Sequence, residues 1–103
     1  MPSNSVTKTV TYIVRMDFAP EDREEIQSAL TALAAAAREE PGCLDFVPCT
    51  MDGDPDHVLL WERYADQAAA EAHRVTPHFK KYVVGVLYQK MRQRTVENLN
   101  AVA

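Results

Sequence analysis

The stretch HVLLWERY, residues 57–64, determines how this chain must fold. Successive side chains of a β-strand point to opposite faces of a sheet, so Val58 and Leu60 face one way while Leu59 and Trp61 face the other. Both faces of the strand are therefore apolar at its centre. A strand of this kind is expected to be covered on both sides.

The residues before this strand predict its antiparallel partner. The segment CLDFVPCTM (43–51) has strand character, and the turn-rich DGDPD (52–56) that follows predicts a hairpin. On one extended strand, Cys43 and Cys49 would lie about 20 Å apart, at roughly 3.3 Å per residue. A disulfide requires Cα atoms within about 7 Å, so both cysteines are predicted to be free thiols.

Towards the N-terminus, the chain predicts a first strand and a long helix. In VTKTVTYIVRMDF (6–18), apolar residues alternate with polar ones, as in a half-buried strand. In the next segment (19–42), apolar residues recur at helical spacing, Pro20 suits a first helical position, and Pro41-Gly42 ends the element. The strand residues predicted to share one face are Val6, Val10, Tyr12, Val14, Met16 and Phe18.

The C-terminal third predicts two capped helices and a last strand. Asp66 is expected to cap the helix QAAAEAHRV (67–75), and Thr76 to cap a second helix with Pro77 at its first position. RQRTVENLNAV (92–102) is the candidate for the last strand. The resulting order, βαββαβ, is that of a single ferredoxin-like α+β domain spanning residues 1–103. Right-handed crossovers place the helices on one face of a four-stranded antiparallel sheet.

The opposite face of this sheet predicts a second copy of the chain. The helices cover only one face of the sheet, so one of the two apolar faces of this strand, that of Val58 and Leu60 or that of Leu59 and Trp61, is left uncovered. An exposed apolar sheet face needs a partner, and an identical subunit is the usual one. We therefore expect a homodimer packed sheet to sheet.

Composition excludes several classes of partner. The 103 residues include 11 basic and 15 acidic side chains, for a formal net charge of -4, with no basic run. Electrostatic binding to nucleic acid or to an anionic membrane is therefore not expected. The opening MPSNSVTKTV has no apolar core of a signal peptide, which favours a cytoplasmic location.

The inventory of motifs also limits the chemistry. The chain has no glycine-rich phosphate loop, no C-x-x-C pair and no G-x-S-x-G motif. Its histidines are His57, His73 and His78. Because His73 and His78 are five residues apart with a helix break between them, they differ from the i, i+4 pairs that bind zinc on a helix. We therefore expect no metal site.

Three segments together resemble one protein family. EEPGCLDF (39–46), LLWERYADQAAAEAH (59–73) and TPHF (76–79) follow the order and spacing of the antibiotic biosynthesis monooxygenase family. That family's pattern is an E-P-G-C turn, a strand with E-x-W, and an alanine-rich helix ending in H-x-x-T-P-H-F. The resemblance covers the chain from about Val10 to Val86.

The resemblance implies a dimeric α+β barrel with a small pocket between sheet and helices in each subunit. Members include quinol and polyketide-phenol monooxygenases that use O₂ without metal or flavin. Haem-degrading enzymes and an isomerase of a phosphorylated sugar are similar. One departure is that Tyr64 stands at the position of the Trp in E-x-W, while a tryptophan, Trp61, lies just before Glu62.

His73 and Glu62 are the candidate catalytic residues. His73 lies on a helix face lined by alanines, where it is either a general base or hydrogen-bond partner of the substrate, or a buried neutral histidine with one hydrogen bond. Glu62, in the middle of a strand, must be paired. It either holds and polarises His73 or forms an ion pair with an arginine such as Arg15.

The candidate substrate-binding residues are aromatic. Tyr64 and Trp61 point to opposite faces of their strand, so only one of them is expected to line a given pocket. Core packing is the alternative role for aromatic residues on a sheet. His78, at the start of a helix, is expected to be exposed. The complete set of substrate-binding candidates is Tyr64, Trp61, Phe79 and Tyr12.

The expected function is oxidation of a small electron-rich aromatic, either a quinol or a polyketide phenol, by a cofactor-independent monooxygenase that uses O₂. The alternatives are a non-catalytic dimeric module that binds a small ligand, an isomerase, and a haem-degrading relative of the same fold. Isomerisation of a polar metabolite would require more charged groups in the pocket than the sequence places there.

Overall fold

The computed structural model describes residues 8–103, so the strand residues expected at Val6 and Thr7 lie outside the described part. Four strands form one sheet in the order β2-β3-β1-β4, and all three pairings are antiparallel. This is the ferredoxin-like α+β fold that the sequence predicts. The strands are β1 (Val10–Asp17), β2 (Cys43–Met51), β3 (Asp54–Tyr64) and β4 (Gln93–Leu99).

Three helices connect these strands. A 3₁₀ turn (Pro20–Asp22) leads into α1 (Arg23–Ala37), and α2 is Gln67–His73. A π-helical segment (Phe79–Leu87) continues into an α-helical turn (Tyr88–Lys90), and we call the two together α3 (79–90). Both predicted caps are present. Asp66 Oδ1 accepts a 2.8 Å bond from the Ala69 N–H, and Thr76 Oγ1 accepts a 3.2 Å bond from the Phe79 N–H.

The hairpin between β2 and β3 is tighter than predicted. The strand β3 begins at Asp54, so residues expected in the turn belong to the strand. Only Asp52 and Gly53 separate the two strands, and Gly53 adopts a φ of +80°. Such a left-handed conformation favours glycine, which lets the short turn form.

The helices cover one face of the sheet, and the hydrophobic core lies between them. Val58 and Leu60 of β3 are buried there, whereas Leu59 and Trp61 on the other face are half-buried. The alternation predicted for this strand is therefore correct. The core cluster includes Tyr12, Val14, Met16, Ile26, Leu30, Leu33, Phe46, Tyr64 and Leu87.

The last strand differs from the other three in its exposure. Every residue of β4 is exposed, although the strand is paired along its length with β1. Its helix-side residues border a cavity instead of the core, as described below. Within residues 8–103, no helix is both long and apolar enough to span a membrane.

Candidate active site

A cavity of about 380 Å³ lies between the helix-side face of the sheet and the helices α2 and α3. This volume is at the lower end of the range for small-molecule sites, which suits a small ligand. Most of its lining residues are apolar or aromatic, and the others are polar or charged. The lining residues are Tyr12, Val14, Met16, Phe46, Leu60, Glu62, His73, Arg74, Phe79, Val83, Leu87, Tyr88, Arg94, Val96 and Asn98.

Glu62 is a buried carboxyl group in the wall of this cavity, with only 4% of its surface exposed. The Tyr64 hydroxyl donates a 2.6 Å hydrogen bond to its Oε1. Burial raises the pKa of Glu62, while the hydrogen bond from Tyr64 and the nearby His73 oppose that rise. A carboxyl group of this kind holds a proton more readily than an exposed one.

Two buried phenols flank Glu62. Tyr12 pairs with Glu62 across β1 and β3, and its ring centroid lies 6.0 Å from that of Tyr64. Burial, followed by the neighbouring Glu62, raises the pKa of Tyr12 to about 12 and also raises that of Tyr64. Both phenols therefore stay protonated at neutral pH and can donate hydrogen bonds.

His73 lies at the end of α2, is 2% exposed, and is surrounded by aromatic rings. Its ring centroid lies 5.2 Å from Phe79, 5.5 Å from Phe46 and 5.6 Å from Tyr64. Its Nε2 lies 3.9 Å from Glu62 Oε1. The structure thus brings His73 and Glu62 together beside the cavity. The alternative pairing of Glu62 with Arg15 is wrong, because Arg15 bonds to Glu97 at 2.7 Å.

Glu40, which was not predicted as a site residue, holds the other side of the His73 ring. Its Oε2 lies 2.8 Å from His73 Nδ1 and 2.5 Å from His78 Nε2. The expectation that His78 is exposed is wrong, since its side chain is only 19% accessible. Glu40 joins the two histidines across the helix break.

The turn between α1 and β2 positions Glu40. Gly42 in this turn has a φ of +87°, and its carbonyl accepts a 2.7 Å bond from the Ala65 N–H. A Cβ atom at position 42 would lie 2.7 Å from the Cβ of Ala69, so the turn packs directly on α2. The sequence signal for this arrangement is limited to the predicted hairpin of residues 43–51 and 57–64, which brings the start of one strand near the end of the other. Because Cys43 pairs with Tyr64, the turn before β2 must lie near the residues that follow β3.

Of the four predicted substrate-binding residues, Tyr12 and Phe79 line the cavity. Tyr64 is fully buried behind Glu62 and contacts it instead of the open space. Trp61 points to the opposite face of the sheet, where its Nε1 donates a long 3.4 Å hydrogen bond to Asp45. Trp61 therefore does not line this cavity, because it is an odd-numbered residue on a strand whose even-numbered residues face the helices.

Sequence reasoning also missed two arginines. Arg74 and Arg94 line the cavity, and the Arg94 guanidinium lies 5.6 Å from the centre of the Tyr88 ring. The expectation that the pocket has few charged groups is therefore wrong. The two cysteines are free thiols, as predicted, with Cys43 half-buried near Glu40 and Cys49 exposed.

Fold and site together define an α+β domain with a buried carboxyl–histidine pair and protonated phenols at the wall of a small cavity. Residues 9–84 match the model of the family described as antibiotic biosynthesis monooxygenase. The chain therefore belongs to this family, which confirms the resemblance seen in its motifs.

Two individual proteins are similar to this chain in sequence. The chain is 30% identical over 77 residues to Rv0793 of Mycobacterium tuberculosis, covering 75% of each chain. It is 31% identical over 64 residues to YcnE of Bacillus subtilis, covering 62% of this chain and 67% of that one. Both relatives are described provisionally as monooxygenases, which supports a monooxygenase-type function here.

Solved structures show the same fold. A protein of Bacteroides thetaiotaomicron, described provisionally as an antibiotic biosynthesis monooxygenase, superposes with a TM-score of 0.87 at 31% identity, covering 93% of this chain and 91% of that one. The structure of Rv0793 superposes with a TM-score of 0.83 at 26% identity, covering 93% and 97%.

Proposed function

We propose that this chain is a monooxygenase that oxidises a small electron-rich aromatic, a quinol or a polyketide phenol, with O₂ and without a metal or flavin cofactor. The observation that supports this proposal is the position of His73 between two carboxyl groups beside a small cavity whose lining is largely apolar and aromatic. Glu40 bonds to its Nδ1, and Glu62 lies near its Nε2.

His73 is the proposed general base. When Nδ1–H donates to Glu40, the neutral imidazole carries its lone pair on Nε2, on the side of Glu62. This is the logic of a histidine held in one tautomer by a carboxylate. A phenolic substrate would give its proton to Nε2. The two carboxyl groups would then stabilise the imidazolium that forms.

The remaining walls of the cavity bind the substrate and limit water. Tyr12 keeps its proton at neutral pH, because its pKa is raised to about 12, and can donate a hydrogen bond to a phenolate oxygen. Phe79 and Val83 present apolar surface to the aromatic ring. Exclusion of water protects the reactive intermediates that follow.

The substrate can supply all the electrons. A deprotonated quinol passes one electron to O₂, and the resulting semiquinone radical and superoxide combine at a ring carbon. The peroxide anion formed takes back the proton held by His73 and becomes a hydroperoxide. Loss of water from this hydroperoxide gives a hydroxyquinone, so that one oxygen atom enters the product and the other leaves as water. No external reductant is needed.

The proposed active form is a homodimer in the cytoplasm, with the small aromatic substrate and O₂ as its partners. The half-buried Trp61 and Leu59, together with Val47 at 40% exposure, form the apolar surface that supports this assembly.

Oxygen uptake tests the proposal. The purified protein is screened against a panel of quinols and phenols, with and without a chelator. His73→Ala should stay folded by circular dichroism and lose roughly a hundredfold or more in turnover. His73→Gln provides a second, polar replacement in case the alanine variant does not fold.

His57→Ala serves as the matched control, because His57 bonds to Asp17 at the far end of β3 and does not line the cavity. This variant should keep the wild-type turnover. Full activity in a folded His73 variant would show that the base assignment is wrong. Haem bound at one per chain would instead indicate a haem-degrading relative.

Isomerisation of an anionic metabolite is the second candidate, because Arg74 and Arg94 line the cavity. Two guanidinium groups favour a ligand that carries a carboxylate or a phosphate. Thermal shift measurements with sugar phosphates and with quinols distinguish the isomerase from the monooxygenase. Stabilisation by the sugar phosphates alone, with no oxygen uptake on any quinol, would favour the isomerase.

A further inference from the structure

We propose that Glu40, His73 and His78 form a binding site for a divalent first-row transition metal ion of the Zn²⁺ type. The three donor atoms, Glu40 Oε2, His73 Nδ1 and His78 Nε2, lie within 4.8 Å of one another. They come from the turn before β2, the end of α2 and the start of α3, so the tertiary fold has to bring them together.

The spacing of the donors is close to what a tetrahedral metal needs. Bonds of about 2.0 to 2.1 Å place two ligand atoms about 3.3 Å apart. The Glu40 oxygen is now 2.8 Å from one imidazole nitrogen and 2.5 Å from the other. Small side-chain rotations that widen these two distances and bring the imidazole nitrogens together would complete the geometry.

The chemistry of the donor set selects the metal. Two imidazoles and one carboxylate suit zinc and its neighbours, whereas magnesium and calcium prefer oxygen ligands alone. Neutral histidine binds through either ring nitrogen and carries its proton on the other. The hydrogen bonds that both histidines make to Glu40 can therefore be exchanged for metal bonds by a change of tautomer.

Glu62 provides an independent argument. A histidine that binds a metal usually donates its other N–H to a carboxylate or a carbonyl. With Nδ1 of His73 on the metal, its proton moves to Nε2, which lies 3.9 Å from Glu62 Oε1. The His73 ring thus has Glu40 on its Nδ1 side, where the metal would bind, and Glu62 on its Nε2 side.

The site is shielded but reachable. The exposed fractions of the side chains are 10% for Glu40, 3% for His73 and 19% for His78. Entry is therefore expected past His78. A metal bound here would keep the His73 proton on Nε2, so it would block the base of the proposed oxidation and act as an inhibitor.

Isothermal titration calorimetry with Zn²⁺ on tag-free protein tests the site without any substrate. We expect one ion per chain, release by a chelator, and a rise in melting temperature with Zn²⁺ concentration. His78→Ala, at the partly exposed ligand, should weaken Zn²⁺ binding by at least about 100-fold. Glu62→Gln should weaken it by about 10- to 100-fold, the usual effect of losing a partner behind a ligand.

His57→Ala is the matched control and should bind Zn²⁺ as the wild type does, because His57 lies on the outer face of the sheet beside Asp17. Glu40→Gln keeps the size of the side chain but removes its charge, and it should behave like His78→Ala. The proposal is overturned if wild-type protein takes up no stoichiometric Zn²⁺. It is equally overturned if both variants bind as tightly as the His57→Ala control, since the three residues would then be a hydrogen-bonded cluster only.

Discussion

The Tyr64 hydroxyl donates a 2.6 Å hydrogen bond to Glu62 Oε1, two residues earlier on the same face of β3. Both side chains are buried, and burial raises the pKa of each. The pair therefore places a carboxyl group with raised pKa in the cavity wall, with a protonated phenol attached. The stability of the fold should depend on the protonation of this group.

The stability of wild-type protein should fall relative to Glu62→Gln as pH rises. Because the folded pKa of Glu62 lies above its ordinary value of 4.5, its favourable contribution is fully present below pH 4.5 and is lost as the pH rises through the folded pKa. Glutamine keeps an oxygen acceptor for Tyr64 but cannot ionise. Urea unfolding of both proteins from pH 4.5 to 8 measures the change.

Glu24→Gln is the control for this comparison, because Glu24 is exposed on α1. The free energy of unfolding of Glu24→Gln should stay within about 0.5 kcal/mol of the wild-type value at every pH. A difference between Glu62→Gln and wild type that does not change with pH would contradict the proposed ionisation of Glu62.

Substitution of Gly42 should be more destabilising than the same substitution at Gly53. Both glycines have positive φ, at +87° and +80°, so alanine costs about 1 to 2 kcal/mol of backbone strain at each. At Gly42 the new Cβ also meets Ala69 at 2.7 Å, while at Gly53 it meets no atom within 4 Å. We expect a further loss of about 1 to 3 kcal/mol for Gly42→Ala, measured by urea unfolding.

Ala69→Gly removes the atom that clashes and should recover part of that loss in the Gly42→Ala background. A double-mutant cycle gives the coupling between the two positions. Equal losses at Gly42 and Gly53, or no coupling to position 69, would show that the turn does not press on α2.

Leu59→Arg should disrupt the proposed dimer. Leu59 lies on the outer sheet face, and an arginine there would be buried without a partner in a sheet-to-sheet interface. Light scattering of the wild type should give twice the chain mass, and the variant should give the monomer mass or fail to fold. Val75→Arg is the control, because Val75 is 81% exposed in the turn after α2. A monomer mass for the wild type would show that the proposed interface does not form.

Cys43 should react slowly with iodoacetamide. Burial, with a further contribution from Glu40, raises its pKa to about 11. Since only the thiolate reacts, alkylation at pH 8 should be roughly tenfold slower, or more, than that of a free thiol. Cys49 is exposed, so mass spectrometry of peptides over time should show it labelled first. Labelling of both cysteines at one rate would contradict the burial of Cys43.

The strands and their alternation could be predicted because they depend on local pattern. Alternation alone did not decide which face of β3 meets the helices, because both faces are apolar at the centre of the strand. Alternation did place Glu62 and Tyr64 on one face, and in the structure that face is the one beside His73. The extra residues of β3 at Asp54–Asp56 were missed because Gly53 allows a two-residue turn where the sequence favoured a longer one.

The other half of the site could not be predicted from local pattern. The contact of Glu40 with His73 joins residues 33 apart in sequence, and it depends on how closely the turn packs on α2. The orientation of His78 depends on the corner between α2 and the wide π-helical turns of α3. Helical periodicity alone says nothing about such a corner, and it therefore favoured an exposed His78.

The contact between Gly42 and Ala69 restricts how this chain can evolve. The cavity walls are side chains that can change one at a time, so different substrates can be accommodated by single substitutions. The spacing between the turn and α2 has no such freedom, because a single added carbon at either position would push Glu40 away from His73. Positions 42 and 69 are therefore expected to co-vary among relatives. A relative in which only one of the two positions has changed is expected to lack Glu40 or His73 as well.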